Sequence, residues 1–306
     1  MPSLQALLKL DYPQYEIVVV CDGSKDDTLG AIQRSFKLEP TLNTIRQDIA
    51  HATVQQSFVC TDHPKMRVLY KSNGGKADAL NCGINAASFP YFCAIDADTL
   101  LEKDSLQKLA RPFQLYPETA IVGGIVRLLN GCTVESGVIT QRGAPGSLIE
   151  SMQIVEYLRA FFLGRLGWSS TQSIMIISGA FGLFKASAIK EVGGYTLGSL
   201  GEDMDLVLKV RSLALKEKKP CRIEFVPDAI CWTQAPDDYK TLSKQRIRWQ
   251  RGLLECLIRH KDILFHKEGG VTSFVAFPFF VLAEAVGPLI ELVGYLSLLF
   301  FWYVGF

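Results

Sequence analysis

The feature that most constrains the fold is a short apolar run that ends in two carboxylates one residue apart. Residues 91–95 are apolar, and Asp96 and Asp98 follow them. Such a run is typical of a buried strand in a parallel sheet, where ligands bind at the carboxyl ends of strands. Neighbouring carboxylates need a neutralising cation, and a divalent ion bridging to phosphates is a common one. The pattern predicts a metal-held diphosphate, with a solvated turn or helix cap as the alternative.

Length, charge and cysteine content narrow the class of protein. The chain has 306 residues and a formal net charge of +1, which suits one large α/β domain with an appendage and does not indicate nucleic acid binding. The 8 cysteines lack the spacing of zinc or redox motifs, which indicates buried thiols in a reducing compartment. The N-terminus does not resemble a signal peptide, so we expect most of the chain to face the cytosol.

Apolar residues are concentrated at the end of the chain. Mean hydropathy is +0.18, and Glu284 and Glu291 carry the only side-chain charges of residues 271–306. Pro278 and Pro288 interrupt this run, and its last uncharged part is shorter than the ~20 residues of a typical membrane-spanning helix. The pattern predicts an interfacial or re-entrant piece followed by a spanning helix, with a buried core helix as the alternative.

Two further strand ends carry residues that suit a nucleotide. Residues 15–20 form an apolar, β-branched run followed by Asp22 and a glycine, and residues 67–70 form a second run followed by two glycines and Lys76. Glycines permit close approach of the backbone, and the lysine adds a positive charge for a phosphate or a uridine oxygen. An ordinary turn between strand and helix explains Asp22 equally well.

Small and acidic residues in the second half extend the candidate pocket. Ser178 and Gly179 lie in a stretch of small residues, which is typical of places where a ligand or a backbone comes close. Glu202, Asp203 and Asp205 open a predicted helix, where acids favour the positive end of the helix dipole. The alternative is that one of these acids is a general base for a hydroxyl group.

A helix predicted over residues 239–260 places three functional candidates on one face. Gln245, Arg248 and Trp249 stand at i, i+3 and i+4. Arg248 suits a leaving diphosphate and Trp249 a sugar or base, whereas an exposed ion-paired arginine and a core tryptophan are the alternatives. The basic neighbours suit phospholipid headgroups, and the helix predicted over residues 146–168 is either a core helix or a membrane-interface helix.

Together these motifs resemble the family 2 inverting glycosyltransferases of the GT-A fold, in particular the processive membrane-embedded synthases of cellulose, chitin, hyaluronan and poly-N-acetylglucosamine. The resemblance implies an α/β, Rossmann-like nucleotide-diphospho-sugar transferase fold. Its sheet is mixed and mostly parallel, with helices on both faces and C-terminal interfacial or transmembrane helices. The implied division is a cytosolic GT-A domain at residues 1–265 and a membrane-interface and transmembrane segment at residues 266–306.

The resemblance also implies a role for each motif residue. Asp203 is the general base, Arg248 is the second catalytic residue, and Asp98 is the ligand of Mg²⁺ or Mn²⁺. The residues assigned to substrate binding are Asp22, Lys76, Asp96, Ser178, Gly179, Glu202, Gln245 and Trp249.

Two features depart from the family pattern. The family often has a second aspartate at the position of Cys21, which leaves open whether Asp22 contacts the ribose or acts as a base. Met1 stands after the place of the family's first strand, so we expect a central strand of the sheet to be missing or replaced.

The resulting hypothesis is an enzyme that transfers a sugar from UDP-N-acetylglucosamine or UDP-glucose to a growing β-linked polysaccharide. The expected partners are the UDP-sugar donor, a glycan acceptor, membrane lipid and further membrane subunits, without nucleic acid. The expected location is the cell membrane, with the catalytic domain facing the cytosol. A single-transfer glycolipid glycosyltransferase and a truncated non-catalytic membrane subunit are the alternatives.

Overall fold

The computed structural model describes residues 1–42 and 45–305, with the side chain of Phe161 excepted. The strands are β1 (Ile17–Asp22), β2 (Leu38–Pro40), β3 (Val54–Cys60), β4 (Met66–Lys71), β5 (Tyr91–Ile95), β6 (Leu100–Leu101), β7 (Thr119–Leu128), β8 (Thr133–Glu135), β9 (Val138–Gln141), β10 (Phe181–Lys185) and β11 (Arg222–Thr233). The α-helices are α1 (Pro2–Leu8), α2 (Thr28–Ser35), α3 (Lys76–Ala86), α4 (Ser105–Leu115), α5 (Leu148–Tyr157), α6 (Arg165–Ser170), α7 (Ala186–Glu191), α8 (Glu202–Glu217), α9 (Tyr239–Arg259), α10 (Phe277–Phe279) and α11 (Gly287–Tyr303).

The strands form two main sheets and one small hairpin. The first sheet has the order β1-β4-β3-β2, the second has the order β5-β10-β7-β11-β6, and β8 pairs with β9. Within the described chain, only the β1–β4 and β7–β11 pairs are parallel. The prediction of a mixed sheet is confirmed, but the prediction that it is mostly parallel is wrong. Short turns such as the one between β3 and β4 favour antiparallel pairing, since a parallel pair needs a long crossover.

The two strands that lead into the candidate site lie at sheet edges. Strand β1 pairs with β4, and strand β5 pairs with β10; neither has a second neighbour among the described strands. Asp22 is the last residue of β1, and Asp96 directly follows β5. The expected absence of a central strand is not tested by this pairing and stays a prediction.

Strand β7 is the centre of the core, because its two faces are both covered. Ile121 and Ile125 point to one side, and Val122 and Val126 point to the other, as the two-residue period of a strand requires. Leu206 of α8 packs on the first side, and α4 packs on the second. The prediction of helices on both faces is therefore confirmed for this sheet, and the packing fixes the start of α8 beside the strand ends.

Some predicted elements differ from those observed. The helix predicted over residues 146–168 consists of α5, a π-helical segment at Leu158–Gly164, and α6. The sequence of residues 41–52 also allows a helix, but the described residues of that stretch form none, and positions 43 and 44 lie outside the described residues. Strand β3 was not predicted, because two consecutive exposed glutamines, Gln55 and Gln56, interrupt the alternation of apolar and polar residues that is typical of a strand.

The C-terminal segment is helical and bent. Further π-helical segments cover Thr272–Ala276 and Phe280–Ala285. The helical stretches Thr272–Ala285 and Gly287–Tyr303 meet at an angle of 44°, and only as a pair do they have the length and composition to cross a membrane. Since no single described helix meets that test, the predicted C-terminal transmembrane helix is not confirmed.

Candidate active site

Lys76 joins the ends of three separate elements. It is the first residue of α3, and its Nζ lies 2.6 Å from Asp96 Oδ1 and 3.3 Å from Glu202 Oε1. Asp96 follows β5, and Glu202 opens α8. These ion pairs bring three sequence-predicted site residues together at one place.

Gly179 brings Asp203 into the same cluster. Its backbone N–H donates to Asp203 Oδ2 at 3.2 Å. A Cβ atom at Gly179 would lie 3.3 Å from Lys76 Nζ and 3.4 Å from Asp203 Cβ, so a side chain here would crowd both groups. The Ser178 hydroxyl accepts a hydrogen bond from the Ala180 N–H at 3.3 Å and stabilises this turn.

The cluster is electrostatically coupled. Burial raises the pKa of Asp96, and the negative charges of Asp98 and Asp203 raise it further, while Lys76 opposes them. Burial works against the charge of Lys76, but Asp96 and Glu202 outweigh it and hold the Lys76 pKa above its usual value. These interactions place Asp98 and Asp203 near Asp96, and the excess of carboxylates attracts cations.

Asp98 suits a divalent cation that is shared with a substrate. Its side chain is exposed and forms no hydrogen bond or ion pair with the described residues. The described residues contain no group of three or more His, Cys, Asp or Glu arranged to hold a metal. Mg²⁺ sites commonly use one or two carboxylates and complete their coordination with substrate phosphates and water. The residues present therefore fit an ion held jointly by Asp98 and a diphosphate.

Asp22 is held in a network that also fixes the glycine loop. It accepts hydrogen bonds from the backbone N–H groups of Gly74 and Gly75 at 3.0 and 2.7 Å. It also forms an ion pair with Lys71. Despite partial burial, these partners hold the pKa of Asp22 below its usual value. Asp22 thus positions the loop that leads into Lys76.

Lys71 is a structural partner that the sequence analysis missed. Its side chain is 0% exposed, and its Nζ lies 2.5 Å from Asp78 Oδ1 in addition to the ion pair with Asp22. Asp78 in turn accepts from the Ala52 N–H at 2.9 Å. The only signal in the sequence is a lysine at the end of an apolar strand. Its meaning depends on the β1–β4 register, which places Asp22 opposite Lys71.

The three candidates on α9 differ in environment. Arg248 is exposed and forms no ion pair with the part of the chain that is described. Trp249 is 39% exposed, with its ring 6.5 Å from that of Tyr157. The Gln245 Oε1 atom is buried and accepts no hydrogen bond from residues 1–42 or 45–305. The alternatives of an ion-paired arginine and a core tryptophan thus do not describe this helix.

Helix α9 packs against the start of α8. A Cβ atom at Gly252 would lie 2.9 Å from the backbone of Leu200 and Gly201, so the two backbones touch here. Arg248 and Gly252 are four residues apart and share one face of α9. The face that carries Arg248 is therefore the one that meets the residues just before Glu202.

Asp205 links the same two helices and is structural. It is 0% exposed and accepts hydrogen bonds from Thr196 Oγ1 at 2.5 Å and Arg259 at 2.7 Å, and its Oδ1 lies 2.9 Å from His260 Nε2. With its oxygens engaged, Asp205 is not available as a base. Among the described residues, the hydrogen bonds recorded for the Asp203 carboxylate come from backbone N–H groups, so Asp203 remains the candidate base.

Comparisons with known proteins agree with this architecture. A poly-beta-1,6-N-acetyl-D-glucosamine synthase of Staphylococcus epidermidis is 30% identical over 257 residues, which are 84% of this chain and 52% of the relative. The protein of the same name from Staphylococcus aureus (strain COL) is 30% identical over 259 residues, with the same shares. The chain thus spans about half the length of the curated relatives it matches.

Structural similarity supports the same fold. A mannosyltransferase from Pyrobaculum calidifontis, solved with GDP-Man and Mn²⁺, has a TM-score of 0.61 and 18% sequence identity, covering 97% of this chain and 75% of its own. Residues 3–252 match the protein family described as glycosyltransferase like family 2. The resemblance inferred from the motifs is confirmed at the level of the family. The chain has a GT-A glycosyltransferase fold and belongs to glycosyltransferase like family 2.

Proposed function

We propose that this chain carries the catalytic site of an inverting glycosyltransferase that uses a UDP-sugar and extends a β-linked polysaccharide. The observation that carries the proposal is the single cluster formed by Lys76, Asp96, Glu202, Gly179 and Asp203. The names of the relatives at 30% identity favour UDP-N-acetylglucosamine as the donor over UDP-glucose.

The carboxylate of Asp203 acts as the general base. Its Oδ2 atom takes the proton of an acceptor hydroxyl, which attacks the anomeric carbon opposite the leaving diphosphate, so one displacement inverts that carbon. The Gly179 N–H holds this carboxylate in place. Since the side chains of the Lys76–Asp96 ion pair are 42% and 33% exposed, the donor diphosphate can reach Lys76 and competes with Asp96 for it.

Asp98 holds Mg²⁺ or Mn²⁺, with Asp96 contributing to the negative field. When bound, the ion neutralises the charge of the diphosphate leaving group. Arg248, which has no carboxylate partner among the described residues, adds positive charge for the departing UDP. Gln245 and Ser178 contact the substrate, and Trp249 offers its exposed ring to the acceptor sugar.

We propose that the enzyme acts at the cell membrane, with residues 1–265 as the cytosolic domain and residues 266–306 at the lipid, and the apolar C-terminal segment supports this proposal. Exposed apolar side chains cover α11 and the α5 face, and lipid is the partner that would cover them. Further membrane subunits fit the same surface.

Replacing Asp203 by asparagine tests the base. We expect incorporation of labelled sugar from UDP-N-acetylglucosamine to fall by about 10²-fold or more, while UDP affinity stays within about twofold. The matched control is Asp104→Asn, which makes the same change at an exposed acid paired with Lys108. Polymer synthesis by Asp203→Asn at the native rate would refute the assignment, and a product of one added sugar would show single transfer instead.

A further inference from the structure

A polar cavity lies where the catalytic domain meets the C-terminal segment. It has a volume of about 280 Å³ and is lined by residues of α8, of the turn after α6, and of the glycine turn before the helical stretch Thr272–Ala285. Its polar and charged lining side chains include Gln172, Arg211, Lys219 and Glu268, and Gly270 lines it as well. Arg211 stands nine positions after Glu202 on α8, so about 13 Å of helix separates the cavity from the candidate active site.

Arg211 has an unusual environment for a charged group. It is 7% exposed, its Nη2 donates to the Ile174 carbonyl at 3.3 Å, and its Nε is buried without a hydrogen-bond partner among the residues that the structure describes. Arg211 forms no ion pair with residues 1–42 or 45–305. A buried guanidinium without a carboxylate is costly, and such groups are normally paired. An anion in the cavity would compensate the charge of Arg211.

The surroundings supply further donors. Lys219 lies at the rim, and although it pairs with Glu217 at 2.6 Å and Glu191 at 3.4 Å, its side chain is 60% exposed and can turn toward a ligand. The helical stretch Thr272–Ala285 begins at the cavity, and the chain is already helical from Gly270. The Ser273 N–H donates to the Gly269 carbonyl at 3.3 Å, so the first N–H groups of the turn, those of Gly270 and Val271, are the ones left for a ligand among the described residues. Glu268 is the opposing charge in the lining.

We propose that this cavity binds a phosphate group, held by Arg211, Lys219 and the N–H groups at the start of the helical stretch. The planar guanidinium fork matches two oxygens of a phosphate. The volume is below the about 300–1,000 Å³ of typical sites for larger ligands, which favours a phosphate or a headgroup over a nucleotide sugar. The two sources of this chemistry are free phosphate and the headgroup of a phospholipid.

An occupant of this site would join α8 to the C-terminal segment. Arg211 belongs to the helix that opens with Glu202 and Asp203, and the helical stretch that begins at the cavity leads into α11. Binding is a property of these residues alone, so its test is independent of glycosyl transfer.

Titration calorimetry on the full chain in a non-ionic detergent tests the site, with inorganic phosphate and dihexanoyl phosphatidic acid as probes at constant ionic strength. We expect saturable binding of at least one probe. Arg211→Met should weaken binding by about tenfold or more, the size of a hydrogen-bonded charge. If phosphatidic acid binds more than about tenfold tighter than phosphate, the site takes a headgroup; equal affinities identify free phosphate. Absence of saturable binding of both probes overturns the proposal.

Variants of the two charged residues Lys219 and Glu268 test the same binding if Arg211→Met does not fold. Lys219→Met should weaken binding by up to about fivefold, and Glu268→Gln should strengthen it, because one removes a positive and the other a negative charge. Lys216→Met is the matched control, since this exposed lysine pairs with Asp262 and does not line the cavity. The proposal is overturned if Lys219→Met, Glu268→Gln and Lys216→Met all bind the probe with the affinity of the native chain. It is also overturned if Lys219→Met and Glu268→Gln change the affinity in the same direction.

Discussion

Replacing Lys71 by methionine removes the charge at the centre of the network beneath the glycine loop. The lysine is fully buried between Asp22 and Asp78, whose side chains are 19% and 5% exposed. Removing one partner of a buried ion pair costs about 3–5 kcal/mol, because the other charge stays buried without compensation. Asp22 keeps two backbone N–H donors and Asp78 keeps the Ala52 N–H. We therefore expect a loss near the lower end, about 3 kcal/mol of unfolding free energy.

Urea denaturation of the chain in detergent measures this loss. Adding Asp78→Asn to Lys71→Met removes the carboxylate charge that the loss of Lys71 leaves unpaired. The double variant should therefore regain at least about 1 kcal/mol of unfolding free energy. Lys37→Met is the control, because Lys37 is exposed and without an ion pair among the described residues, and its change should stay within about 0.5 kcal/mol. A loss below about 1 kcal/mol for Lys71→Met, or no recovery in the double variant, would show that Lys71 does not stabilise the fold by neutralising Asp22 and Asp78.

Three further predictions concern the α8–α9 contact, the buried Asp205 and the metal ligand. Gly252→Ala should lower stability by about 1–3 kcal/mol in thermal melts, because the added Cβ would lie 2.9 Å from the Gly201 backbone. The control is Gly167→Ala, whose Cβ would have no described atom within 4 Å, so it should be neutral or stabilising. Equal effects of the two variants would contradict the contact between α9 and the start of α8. Burial works against the charge of Asp205, but its hydrogen bonds hold its pKa below its usual value. The ionised carboxylate therefore stabilises the fold above about pH 4, and this contribution is lost as the pH falls. In Asp205→Asn the free energy of unfolding should depend less on pH in the acid range, and an unchanged pH dependence would contradict this role. Asp98→Asn should raise the Mn²⁺ concentration needed for half-maximal sugar transfer, and an unchanged metal dependence would show that another group holds the ion.

Local patterns in the sequence predicted much of the fold. The strand predicted at residues 67–70 is observed at Met66–Lys71, and the helix predicted over residues 239–260 is observed at Tyr239–Arg259. Apolar runs and helical periodicity are properties of neighbouring residues, so they can be recognised without the fold. For the same reason, the charged residues at the strand ends and at the start of α8, which the structure brings together, could be recognised in the sequence.

Features that depend on pairing between distant segments were not predictable in this way. The role of Lys71 follows from the β1–β4 register, which no local pattern encodes. The mixed direction of the strands depends on which strands become neighbours, and the structural role of Asp205 depends on the packing of α9 against α8. Burial of the unpaired Arg211 is likewise a property of tertiary packing.

The most direct test of the central claim is a crystal structure of the chain with UDP and Mn²⁺, in which anomalous scattering locates the metal. We expect a manganese peak beside the Asp98 carboxylate and the diphosphate, with Asp203 and Arg248 bordering the same cleft. A peak away from Asp98, or Asp203 and Arg248 opening onto different surfaces from the nucleotide, would contradict it.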